Sequence, residues 1–130
     1  MRIERVDERD SNWEEHDPRF RVYFFEGGDT AESSWSAETF DVTGADVLEV
    51  IGWAQEQAGA ERLFAVALIG EDDRLPPGRR HGLTWLVGMD ANDTPGSETE
   101  KRCLMEMLAR RGKRIIAPSR TSSIRKGQRT

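Results

Sequence analysis

Residues 62–70, RLFAVALIG, form a nearly unbroken apolar run in a chain of which 33% is charged. The run is too short to cross a bilayer and has the length of a strand. Apolar side chains at consecutive positions point to opposite faces, so this is the pattern of a central strand covered on both faces or nearly so. Such a strand needs a neighbour on each edge, and the surrounding segments must supply them.

They do so by alternation. In RFRVYFF, residues 19–25, Phe20, Val22 and Phe24 point one way and Arg19, Arg21 and Tyr23 the other. That period of two predicts a half-buried strand. The glycines of EGGDTAESS mark a turn, and WSAETFDV, residues 35–42, predicts a second strand, so 19–42 reads as a hairpin. GLTWLVGM, after the long polar loop EDDRLPPGRRHG, is the return strand from the central run. RIERV near the start is a candidate fifth strand, anchored weakly by Ile3 and Val6.

Two helices complete the layout. The first is expected to begin at a Thr43 cap with Asp46 reaching back, stapled by Val42 and Val47, and to end at Gly59. Val47, Ile51, Ala54 and Ala58 make its apolar face. The second is expected to begin at Ser97, where S-x-x-E with Glu100 makes a capping box, and to end near Gly112 with Leu104, Met107 and Leu108 inward. Strands outnumber helices and hairpins connect them. The expected fold is α+β: two layers, a mainly antiparallel sheet of four to five strands, and two helices on one face.

At 130 residues the chain fits one domain and can bury roughly 65–70% of its unfolded surface without a covalent staple. Residues 1–112 carry all 24 acidic groups against 13 Lys and Arg, a net −11, while residues 113–130 carry six basic groups and no acid. The division is therefore an acidic domain, 1–112, and a basic, disordered tail, 113–130, with Ile115 and Ile116 making a brief contact. An acidic body points to a partner with a basic surface; the tail has the charge for phosphate contacts but no aromatics for stacking bases, so a regulator contacting nucleic acid through residues 113–130 is a lesser alternative. The charged start MRIERVDERD lacks the apolar region of a secretory leader, and Cys103 is the single cysteine, so a cytoplasmic location and no membrane association are expected.

Reactive constellations are sparse. No G-x-S-x-G, P-loop or dinucleotide fingerprint occurs, so no catalytic residue and no cofactor is assigned. Asp90, Asn92 and Asp93 start like a calcium loop, but Pro95 and Lys101 stand where it needs glycine and glutamate. His81 and His16 are too far apart, with one cysteine, for zinc spacing, and Cys103 paired with His81 is disfavoured by its apolar helical setting. One alternative reading gathers Asp72, Asp73, Asp90 and His81 at a hairpin end, as a Mg²⁺- or Mn²⁺-assisted hydrolase would require. The leading reading is non-enzymatic. Helical periodicity sets Trp53 about 120° from the apolar face, beside Asp46 and Glu49, where a tryptophan can anchor a protein contact. Met105 stands outside the second helix's apolar stripe and is a further candidate contact.

The segments RFRVYFF, TFDVTGADVLEVIGWAQ, FAVALIG and GLTWLVGMDAND resemble a family of small hypothetical bacterial proteins, over about residues 1–95. From Trp35 through the first helix to LVGMD the chain is also similar to immunity proteins of polymorphic toxin systems. That similarity implies a small acidic protein that acts by binding a toxin rather than by catalysis, and it transfers no individual residue role.

Overall fold

The computed structural model describes residues 1–11, 13–28 and 34–117. Strands β1 (Phe20–Gly27) and β2 (Trp35–Val42) precede helix α1 (Val47–Ala58); β3 (Leu63–Glu71), β4 (His81–Val87) and helix α2 (Glu98–Arg110) follow. The sheet has four strands in the order β2-β1-β3-β4, every neighbouring pair antiparallel. The α+β class expected from the sequence is the class observed.

The run at 62–70 is β3, an interior strand, and its companion β1 is the other. Side chains on a strand alternate between faces, and the two faces here hold two separate clusters. Phe20, Val22 and Phe24 of β1 and Val66 of β3 pack against Val50, Ile51, Ala54 and Ala58 of α1. Phe25 of β1 and Leu63 and Ala65 of β3 pack with Met107 of α2, with Cys103 and Leu104 beside it. The helices therefore cover opposite faces, and the expectation of both on one face is corrected. The physical reason lies in β1 and β3 themselves. Phe24 and Phe25 are consecutive and both fully buried, which a sheet with one wet face cannot provide. Burying each phenylalanine contributes roughly 1.5–3 kcal/mol.

Two further expectations at helix and chain starts are corrected. α1 begins at Val47 with Asp46, not Thr43, as its cap: the Asp46 carboxylate accepts from the Glu49 amide at 2.9 Å and the Glu49 carboxylate from the Asp46 amide at 3.2 Å. Asp at the third helical position is one methylene too short to return that bond well, whereas Glu49 reaches. Gly44, at φ +73°, turns the chain before the helix can start. RIERV forms no strand. Ile3 and Val6 are exposed, and their spacing of three cannot put both on one face of a strand. A short 3-10 turn at Glu8–Asp10 is the only regular element among the described residues before β1. α2 starts at Ser97 as the sequence predicts, with Ser97 Oγ accepting from the Glu100 amide at 3.1 Å. The Glu100 carboxylate reaches one residue further back than a capping box requires, to the Gly96 amide.

No helix among the described residues is long and apolar enough to cross a membrane. The turn at residues 29–33 and the tail from 118 to 130 lie outside the described residues. Residues 114–116 pack on α1. Ile115 and Ile116 join its apolar cluster, and Arg114 lies 3.2 Å from Glu56.

Candidate functional site

The four residues of the alternative cluster are not brought together. His81 opens β4 and faces Glu71 across the β3–β4 pair at 3.1 Å. Asp72 is held by Arg74, whose Nε and Nη2 each donate at 3.0 Å and lower the carboxyl below its ordinary range. Asp73 is exposed in the same loop. Asp90 follows the other end of β4, and a seven-residue strand at about 3.4 Å per residue separates it from the loop by roughly 20 Å. A hairpin gathers the residues flanking its turn, and Asp90 flanks the open end instead. Among the described residues no group of three His, Cys, Asp or Glu side chains could hold a metal ion.

Asp90 has a structural task at that open end. Its carboxylate accepts from the Asn92 amide at 2.9 Å, and its carbonyl from the Asp93 amide at 3.1 Å, closing a turn. The turn aims Asn92 at β2, where its side-chain oxygen accepts from the Trp35 amide at 2.8 Å and its nitrogen donates to the Trp35 carbonyl at 2.9 Å. The sequence motif that begins like a calcium loop is thus a clasp between the two ends of the sheet's edge strands. Cys103 is half-buried, and desolvation foremost, then Glu106, pushes its thiol above the ordinary range, the opposite of what a nucleophile needs.

Trp53 sits in a different environment. It lies on the flank of α1 facing β2, with its ring 5.6 Å from Phe24 and 5.7 Å from Phe40, edge to face in both cases. Phe24 and Phe40 close the triangle at 5.8 Å. Phe24 is fully buried, with the Arg62 guanidinium 4.5 Å above its ring, while Trp53 and Phe40 remain 37% and 39% exposed. Arg62 also reaches Glu38 at 3.4 Å. Asp46 and Glu49, exposed about two turns and one turn before Trp53 on α1, are bonded to each other's backbone, which fixes both carboxylates at the helix start. Phe40 was not singled out from the sequence, although the alternation of WSAETFDV puts it on the same side as Val42, which packs on the core under α1. Met105 is 70% exposed on α2, across the sheet from Trp53, and cannot belong to the same surface.

A narrow gap where the C-terminal ends of both helices meet is lined by Arg62, Arg110, Arg111 and Lys113, but it holds only about 20 Å³. That is room for about one water, not for a ligand. No family model, no curated protein and no solved structure matches the chain.

Proposed function

We propose that the chain is a non-enzymatic cytoplasmic protein-binding module, immunity-like or regulatory, that grips a basic partner through Trp53 and Phe40, with Asp46 and Glu49 at the start of the same helix. The observation that carries this reading is the fixed ring triangle. Trp53 and Phe40 each leave more than a third of their surface in water while Phe24 holds them edge-on. An aromatic anchor already fixed in place loses little side-chain freedom on association, and tryptophan is the residue most enriched at interface hot spots. The net −11 of residues 1–112 steers a basic partner toward such a surface.

Affinity capture from the native host, followed by binding measurements on the purified pair, tests it. Trp53→Ala should weaken the complex by about 30-fold or more, the effect of a hot-spot residue, while circular dichroism stays that of the wild type. The captured partner should present Lys and Arg at the contact, and the complex should loosen as salt rises. Absence of a partner, or a partner indifferent to Trp53→Ala, would count against the proposal.

A further inference from the structure

The two edges of the sheet differ in chemistry. β2 carries Glu38 and Asp41, each tied to an arginine, and charged side chains on an edge hinder pairing with another copy. β4, HGLTWLV, holds no acid, lysine, arginine or proline. Its Leu83 and Leu86 are 37% and 42% exposed. Nothing in its side chains guards the edge.

The outward backbone groups follow from the ladder. The Arg80 carbonyl accepts from the Asp72 amide at 2.8 Å, so Arg80 turns its polar groups toward β3. Antiparallel pairing alternates the direction residue by residue. Gly82 and Thr84 therefore bond inward, and His81, Leu83 and Trp85 turn N–H and C=O outward. Ile69, opposite Leu83, agrees: its amide donates away from β4, to the Arg19 carbonyl at 2.9 Å. The outward set is centred on Leu83.

We propose that β4 pairs antiparallel with β4 of a second copy, about a two-fold axis through Leu83. His81 then faces Trp85 of the other copy and Leu83 faces Leu83, each pair exchanging two hydrogen bonds. Leu83 and Trp85 share the α2 face of the sheet, so the two leucines meet on the axis with a tryptophan to either side. The bulge between Val66 and Ala67, which leaves Leu86 without a partner on β3, bounds the paired segment at Trp85.

Charge selects a second copy as the occupant. Arg79 and Arg80 precede β4, and Asp90 and Asp93 follow it. At the first end Glu71 is engaged by His81 and Asp72 by Arg74, which leaves Arg79 and Arg80 to meet the acidic end of the other copy, twice. At the acidic end an open hollow of about 590 Å³ lies between β4 and α2, floored by Trp85 and Met89, where Asp93, Glu100 and Glu106 outnumber Arg110. Exposed Arg79 of the other copy is placed at its mouth. Trp53 and Phe40 lie toward the β2 edge and stay free, so this pairing and the function proposed above stand or fall separately.

Sedimentation velocity decides the matter. At roughly 0.1 mM, well above the Kd of a micromolar interface, the wild type should sediment at twice the chain's 14.8 kDa. Leu83→Lys should be monomeric with unchanged circular dichroism. Leu83→Pro removes an N–H that the monomer's own ladder does not use, and should act alike; if it unfolds, Leu83→Lys carries the test. Arg79→Glu should weaken the dimer at least ten-fold, and adding Asp93→Arg should restore it. In the wild type the amides of Leu83 and Trp85 should exchange with solvent more slowly than in Leu83→Lys. A monomeric wild type overturns the proposal, and so does a folded Leu83→Lys protein that still dimerises.

Discussion

The side chain of Gln55 grips the Ile116 peptide from both sides. Its Oε1 accepts from the Ile116 amide at 3.2 Å, and its Nε2 donates to the Ile116 carbonyl at 2.8 Å. The same oxygen accepts from the Ile115 amide at 3.0 Å. Gln55 is the one buried polar side chain among the described residues, 8% exposed, and these bonds offset its desolvation. Gln55→Ala should cost about 1–3 kcal/mol, the usual penalty for buried groups left without partners. Urea unfolding reads the loss, and hydrogen exchange should show the Ile115 and Ile116 amides opening well before the sheet.

Asp46 has two separable roles, and two substitutions distinguish them. Asp46→Ala removes the acceptor for the Glu49 amide and should destabilise the protein by about 1 kcal/mol. Asp46→Asn keeps an acceptor at the same place and removes the charge, so its Tm should stay near that of the wild type. Partner binding, measured by titration calorimetry, should weaken in both.

Arg21 and Asp41 lie directly opposite on β1 and β2, with Arg21 Nε 2.7 Å and Nη2 3.2 Å from the carboxylate. The hydrogen bonds from Arg21 hold the Asp41 carboxyl below its ordinary range, against an opposing desolvation effect. A depressed carboxylate contributes stability above its unfolded pKa of 3.8, and that contribution is lost as pH falls through the lower folded-state value. Asp41→Asn should therefore cost about 0.5 kcal/mol at neutral pH, a figure discounted because Asp41 is 54% exposed. The gap between the two proteins should close on acidification below about pH 4. Denaturant midpoints at pH 7 and pH 3 check the sign.

Gly88, at φ +75°, leaves β4 where α2 crosses the sheet. A methyl group there would lie 3.0 Å from Ala65 Cβ and 3.1 Å from Met107 Sδ. Gly88→Ala combines backbone strain with crowding and should cost about 2–4 kcal/mol. Gly70→Ala, with no positive φ and nothing within 4 Å of the added carbon, should stay within about 0.5 kcal/mol of wild type. Thermal unfolding of the two side by side separates the effects.

How much of this was legible depends on which distance the pattern spans. Local signals read well. The alternation around Phe20, Val22 and Phe24, the unbroken run of β3 and the Ser97 cap each lie within a few residues of what they specify. The helical angle of Trp53 also placed it on the flank it occupies. The layering differs from the one-face expectation although its signal is present: Tyr23-Phe24-Phe25 on β1 and the apolar run of β3 both demand cover on two sides. Residues far apart in sequence were harder. Asp90 lies far from Asp72 because β4 lies between them, a matter of strand length alone. No sequence spacing announces that Asn92 clasps Trp35, or that Gln55 closes on Ile116, since each bond spans more than fifty residues and depends on which elements become neighbours.

Leu86 has a consequence for how the chain tolerates change in length. Val87 stands opposite Val66 and Trp85 opposite Ala67, so Leu86 is a spare residue in an otherwise matched ladder. A chain shortened by that single leucine keeps Trp85 on the side of Met107 and Val87 on the side of Ile51. Elsewhere in these strands, losing one residue would turn every later side chain inside out. Here the deletion only straightens the rim, and a bend that keeps the strand from lying flat along its whole length disappears.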